Sequence, residues 1–197
     1  MKVLGVIGSP RKDGQTSRLI HRVVQELRAM DSSVEAEFVY TADLVVSPCR
    51  VLCSEFCSSH PYRCSIDDDV PPVFRRMAEA DVVLLGAPCY FRGPPAAFHT
   101  MAERMVSMCF FPQTRGELIP ASPLAGTLCG LVAVAEYSNP QGVLEYLNDL
   151  CHLLGMSPAS IPGFPYLGVG GHGDIAEDDV FHPFERAREL ADVLLNH

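Results

Sequence analysis

Apolar runs of seven to nine residues alternate along this chain with longer segments in which apolar positions recur every three or four residues. Residues 2–8, KVLGVIG, are almost wholly apolar and stop at a Gly-Ser-Pro turn, the pattern of a strand buried on both faces. From Thr16 to about Met30 the period changes, and Leu19, Ile20, Val23, Val24 and Leu27 fall on one helical face. Residues 34–40, VEAEFVY, alternate as a second strand. Residues 72–80 read as a short helix entered through Asp69 and two prolines. DVVLLGAP, 81–88, is the clearest buried strand, followed by a helix from about Pro95 to Met108 and a further buried strand, TLCGLVAVA, at 127–135. Val143, Leu144, Leu147, Leu150 and Leu154 share a helical face over 141–154. A weaker strand, interrupted by prolines, lies within 158–169, and a last helix spans about 183–195.

Strands that alternate with helices predict a parallel sheet with right-handed crossovers and helices on both faces. Five strands in this order suit an α/β fold of the flavodoxin-like, doubly wound kind. With no internal repeat and no long linker, residues 1–197 are expected to form one domain, with a cysteine-rich insert at about 47–66. Segment 109–126 is irregular and is placed over a site or against a partner subunit.

Charge narrows the partners. Fifteen basic against twenty-four acidic residues give −9, which argues against a nucleic-acid backbone as ligand. The acidic runs Asp67-Asp68-Asp69 and Glu177-Asp178-Asp179 read as solvated ends of elements. The first apolar run is far too short to span a membrane, and no signal peptide is visible, so the expected location is the cytoplasm. Thiols stay reduced there, and clustered cysteines point to metal, cluster or redox chemistry before structural disulfides.

The first strand runs into GSPRKDGQTSRL, 8–19. It is neither a Walker loop nor a Gly-x-Gly-x-x-Gly dinucleotide turn. It carries the hydroxyls of Ser9, Thr16 and Ser17 and the cations of Arg11 and Lys12, with a helix start just behind. Free N–H groups and the positive end of the helix dipole favour a phosphate there over a polar turn capped by Thr16 or Ser17. This loop resembles the phosphate loop of the NAD(P)H-dependent FMN reductase family of flavodoxin-like flavoproteins, which typically reads Gly-Ser-Pro-Arg-x-x-Gly-Asn-Thr; Gln15 replaces the usual Asn. The resemblance implies that Ser9, Arg11, Gln15, Thr16 and Ser17 hold the phosphate of FMN.

After the strand at 81–88 comes PCYFRGPPAAFHTMAER, similar to the family's flavin-bordering stretch at Pro88, Tyr90, Phe91, Gly93 and Arg104. Glu103 stands where Asp is common, and His99 where Lys is common. This loop falls at the carboxyl end of a strand, where open α/β sheets bind ligands. Backbone N–H groups near Tyr90 to Gly93 suit a flavin's polar edge and an aromatic offers a wall, the alternative being that Tyr90 and Phe91 plug the core. Cys89 is a candidate contact with the flavin and not a nucleophile. The third loop, VAEYSNPQG, departs from the family's Gly-Gly stretch and offers Glu136, Tyr137 and Ser138, with Ser138 or Asn139 as helix cap.

The resemblance implies an FMN-dependent oxidoreductase that takes hydride from NAD(P)H and reduces free flavin, a quinone or another small acceptor. The flavin carries the chemistry, so no catalytic side chain is assigned. It also implies a homodimer or homotetramer with the flavin near a subunit boundary. Two other readings stay open: an electron carrier reduced by a ferredoxin-like protein, and a phosphate-ligand module without turnover.

CRVLCSEFCSSHPYRC, 49–64, gathers four of the eight cysteines. Iron–sulfur flavoproteins related to this family keep a Cys-x-x-Cys-x-x-Cys motif and a fourth Cys in this region, which implies Cys49, Cys53, Cys57 and Cys64 as ligands of a [4Fe-4S] cluster. The spacing here is one residue longer in each of the first two gaps. Ser47-Pro48 reads as a helix start. In a helix the first three cysteines would form a stripe, its ends ~12 Å apart, too long for one compact cluster. A cluster, structural thiols, zinc and a redox pair all remain readings of this segment.

Overall fold

The structure of the chain, a computed structural model, describes residues 1–109, 122–173 and 179–197, the side chains of Cys53 and Ser54 excepted. Among the described residues, six parallel strands, β1 (Lys2–Ile7), β2 (Glu35–Tyr40), β3 (Val82–Pro88), β4 (Leu128–Ala135), β5 (Ser157–Pro158) and β6 (Val169–His172), are interspersed with five α-helices. These are α1 (Gln15–Met30), α2 (Val70–Glu79), α3 (Ala96–Arg104), α4 (Gln141–Leu153) and α5 (Pro183–Asn196). The sheet order β2-β1-β3-β4-β5 is that of the flavodoxin-like doubly wound fold. The expected strand within 158–169 becomes two short pieces that share one edge position. β5 pairs with β4 at Leu128 and Cys129, and β6 pairs with it from Val132 to Ala135. Prolines cannot donate to the ladder, so the chain bows away between them over 159–168. The buried guanidinium of Arg186 holds the bow by donating to the carbonyls of Pro162, Gly163, Pro165 and Gly168.

Each face of the sheet is covered as the apolar periods require. Leu19, Ile20, Val23 and Leu27 of α1 and Leu190 and Leu194 of α5 pack on one face. α2, α3 and α4 cover the other, with Phe74, Met77, Phe98, Met101, Leu144 and Leu147 at its centre. A fully buried aliphatic side chain of this kind contributes about 1.5–3 kcal/mol. Close approach of α1 to the sheet depends on Gly86 in β3, because a Cβ there would lie 2.5 Å from Ile20 Cδ1 and 3.2 Å from Thr16 Cγ2. α1 therefore starts directly over the carboxyl ends of β1 and β3.

The helix expected from Ser47-Pro48 does not form. Residues 44–52 are irregular, Val51 is left-handed at φ 54°, and only Cys53–Cys57 make a single wide turn. The Ser47 carbonyl, which would accept the first bond of that helix, accepts from Arg104 at 2.9 Å instead, and the Ser47 N–H donates to Asp68 Oδ2 at 2.9 Å. Within the Asp67–Asp69 run, Asp67 and Asp69 are exposed at the entry to α2 as expected, but the Asp68 carboxylate is buried against Arg104. Asp179 is buried too, where it accepts from the backbone of His172 and Phe181. Glu177, Asp178 and most of segment 109–126 lie outside the described residues.

Gly168 precedes β6 with its α-carbon pressed against β4; a Cβ there would collide with the Leu131 carbonyl oxygen and stand 3.0 Å from its carbon. Gly168→Ala is expected to destabilise the protein by about 1–3 kcal/mol through overpacking against rigid backbone. Urea denaturation should show the loss as a lower midpoint with unchanged slope.

Candidate active site

Three loops leave the sheet at its carboxyl edge, after β1, β3 and β4, and enclose a half-open cavity of about 330 Å³. It is lined by ten of the thirteen flavin-contact candidates: Ser9, Arg11, Gln15, Thr16, Pro88, Cys89, Tyr90, Phe91, Glu136 and Tyr137. Ser17, Gly93 and Ser138 do not line it. Ser17 is buried beside the Tyr40 hydroxyl, Gly93 closes a turn, and Ser138 lies 3.7 Å from the Cys89 sulfur. Val134 and Gly173 complete the wall. Gly173 carried no local sequence signal, because it reaches the cavity only when β6 pairs with β4.

The first loop is built as an anion cradle. Gly14 occupies the N-cap of α1, and no side chain caps the helix, so neither Thr16 nor Ser17 plays that part. The first-turn N–H groups therefore keep the partial positive charge of the helix terminus. Ser9 Oγ organises the turn instead, donating to the Arg11 carbonyl at 2.9 Å and accepting from its N–H at 3.1 Å. Thr16, a buried residue, lines the cavity. Lys12 is drawn away to Asp43 at 2.7 Å, which leaves Arg11 as the cation on the cavity wall. Uncapped donors, a buried hydroxyl and a guanidinium at one place fit the phosphate of FMN.

The second loop is a tight turn in which Tyr90 and Gly93 exchange backbone hydrogen bonds across Phe91 and Arg92. Both central residues have positive φ, 51° and 67°, as a type I′ turn requires. A non-glycine residue there costs about 1–3 kcal/mol, strain of the sort that collects at ligand sites. Phe91 is fully exposed and Tyr90 about half exposed, so neither plugs the core. The third loop enters α4 through Asn139, whose Oδ1 accepts from the Gln141 N–H at 2.7 Å. Tyr137 stands almost fully exposed at the cavity mouth, and the Glu136 carboxylate packs where a side chain at Gly173 would be.

Two histidines lie near this edge. His99 Nδ1 is 2.9 Å from the Tyr146 hydroxyl, whose pKa is pushed up to about 12 by burial and then by Glu103. His172 ends β6, half-buried, with Nδ1 3.2 Å from Asp179 Oδ1. Neither side chain lines the cavity.

The cysteine segment arches over α3. Cys57 is buried, the Cys49 sulfur accepts the Val51 N–H at 3.4 Å, and the Cys64 sulfur accepts Arg104 Nε–H at 3.1 Å. Because no helix runs through 49–57, the stripe geometry that would separate the sulfurs is absent. Among the described residues no three His, Cys, Asp or Glu side chains converge to hold a metal ion. The donor chemistry, thiols that accept N–H bonds on a non-helical loop, fits sulfur ligation of a cluster.

The fold is that of a flavodoxin-like protein, with its cavity at the carboxyl ends of the strands. The sequence pattern of the NADPH-dependent FMN reductase family matches residues 1–166, and the chain belongs to that family. It is an FMN-dependent oxidoreductase. An iron–sulfur flavoprotein of Methanocaldococcus jannaschii is 36% identical over 96% of this chain and 93% of its own length. Another, from Archaeoglobus fulgidus, is 24% identical over 98% of this chain and 80% of its own. Among solved structures, RosB with bound 8-demethyl-8-formylriboflavin-5'-phosphate superposes with a TM-score of 0.71 at 16% identity, covering all of this chain and 79% of that one. This last likeness supports the fold.

Burial pushes the Asp68 carboxyl up, but hydrogen bonds from Arg104 and from the Ser47 and Val70 N–H groups outweigh it and hold its pKa below the ordinary 3.8. A carboxylate depressed in this way stabilises the fold in full above its unfolded value and loses that contribution as pH falls through the folded one. Asp68→Asn should therefore cost about 3–5 kcal/mol at pH 7, the usual penalty for breaking a buried pair. Urea denaturation of both proteins across pH should show the gap closing below the ordinary Asp range.

Proposed function

We propose that the cavity binds FMN with its phosphate on the α1 N-terminus, held by Ser9, Arg11, Gln15 and Thr16, and with the second and third loops bordering the ring. The observation that carries this reading is the helix start without a side-chain cap, with Thr16 and Arg11 on the same cavity wall. Bound FMN supplies two-electron chemistry, accepting hydride from NAD(P)H and delivering electrons to free flavin, a quinone or another small acceptor. The protein's part is to hold the phosphate, to set the ring against the left-handed Tyr90–Gly93 turn, and to shield one side from water. Family membership supports the nicotinamide donor. Exposed Phe91 and Tyr137 at the mouth support closure by a second copy of the chain, in a homodimer or homotetramer. We place residues 1–197 in one domain with the insert at about 47–66, and the protein in the cytoplasm; none of the described helices is long and apolar enough to cross a membrane.

A second reading is favoured by the non-helical course of segment 47–66. It assigns Cys49, Cys53, Cys57 and Cys64 to an iron–sulfur cluster and makes the protein an electron carrier fed by a ferredoxin-like donor. The names of both sequence relatives support it. Anaerobic mixing separates the readings: bleaching of the flavin by NADPH or NADH alone supports the reductase, and bleaching only by reduced ferredoxin supports the carrier.

Arg11→Ala is expected to weaken FMN binding roughly 10- to 100-fold, the worth of a charge-assisted hydrogen bond, while riboflavin, which lacks the phosphate, binds as before. Fluorescence titration of both flavins measures it. Equal losses for the two would place the phosphate elsewhere.

A further inference from the structure

Arg104 is the largest side chain with no solvent exposure among the described residues. It ends α3, and all five of its N–H groups have acceptors. Nη1 donates to the Ser47 carbonyl at 2.9 Å and Asp68 Oδ2 at 2.8 Å; Nη2 donates to the Ile66 carbonyl at 3.2 Å and Asp68 Oδ1 at 3.1 Å. The remaining donor, Nε–H, goes to the Cys64 sulfur at 3.1 Å. One guanidinium thus grips the cysteine segment where it leaves the core, at Ser47, and where it returns, at Ile66 and Asp68.

We infer that Arg104 is the positioning residue of the cysteine loop: it closes both ends of segment 47–68 on α3 and orients Cys64 by an N–H···S hydrogen bond that persists when that sulfur ligates a cluster. The last clause rests on the iron–sulfur reading above; the clamp does not. A planar fork is required, because a lysine ammonium in its place keeps the charge opposite Asp68 but cannot reach two carbonyls, a carboxylate and a sulfur together. Hydrogen bonds to ligand sulfur stabilise the reduced, more negative state of a cluster, so their loss moves its potential down.

The test uses the full chain with Arg104→Lys, which retains the cation so that thiol reactivity reports position. In cluster-free, reduced protein, maleimide labelling mapped by mass spectrometry compares Cys64 with Cys89, on the cavity loop away from Arg104. The Cys64-to-Cys89 rate ratio is expected to rise about 3- to 10-fold, the equivalent of one lost hydrogen bond. Protection of α3 amides from hydrogen exchange serves as the folding control. An unchanged ratio overturns the proposal. In protein loaded anaerobically with iron and sulfide, the cluster's midpoint potential should shift negative; an unchanged potential with a raised labelling ratio leaves only the clamp and overturns the bond to the ligand sulfur. If wild-type protein assembles no cluster, the iron–sulfur reading fails by itself, and the labelling ratio alone decides the role of Arg104. Should Arg104→Lys not fold, Arg104→Met with Asp68→Leu removes the pair without an orphaned charge, and hydrogen exchange of the 47–68 amides, with β-strand amides as the folding control, reads the clamp: faster exchange supports it and unchanged protection overturns it.

Discussion

The site depends on how closely α1 can lie on the sheet. Gly86 has no side chain, so Ile20 and Thr16 drop against β3 and the helix begins over the strand ends rather than a turn away. That placement aims the first-turn N–H groups into the cavity and buries the Thr16 hydroxyl beside it. Free donors are costly to bury, and here a side-chain cap is absent, so the helix start is left poised for an anionic ligand.

A second constraint organises the cysteine segment. A buried arginine is expensive unless every donor is met, and Arg104 meets all five on a single loop. In doing so it takes the Ser47 carbonyl while Asp68 takes the Ser47 N–H, and the local helix start at Ser47-Pro48 is overruled. Tertiary bonds of this kind outweigh the fraction of a kcal/mol per residue by which propensity favours a helix. The cysteines are consequently set on an open loop and not along a stripe.

Much of this was legible from the chain. The buried runs 2–8, 81–88 and 127–135 could only be strands covered on both faces, and their alternation with apolar helical stripes implied the parallel sheet. GSPRKDGQTSRL displayed its hydroxyls, its cation and its helix start within twelve consecutive residues, so its chemistry was local and readable. Gly173 and Val134 were not, because they join the cavity through strand pairing. Ser17 and Ser138 have the right chemistry but face Tyr40 and Cys89. Asp68 and Asp179 looked like surface charge because nothing nearby in sequence announces Arg104 or the β6 backbone as partner.

By itself, then, the sequence determined the order of elements, the sheet they form and the hydroxyls, cations and helix start that the first loop presents, since each rests on periodicity or on neighbouring residues. Tertiary structure alone decided which loop residues face a common cavity, how the proline-rich segment splits the last strand position in two, and that the cysteine segment is not a helix. Those outcomes turn on contacts between residues far apart in the chain, where one buried guanidinium or one missing Cβ outweighs local preference.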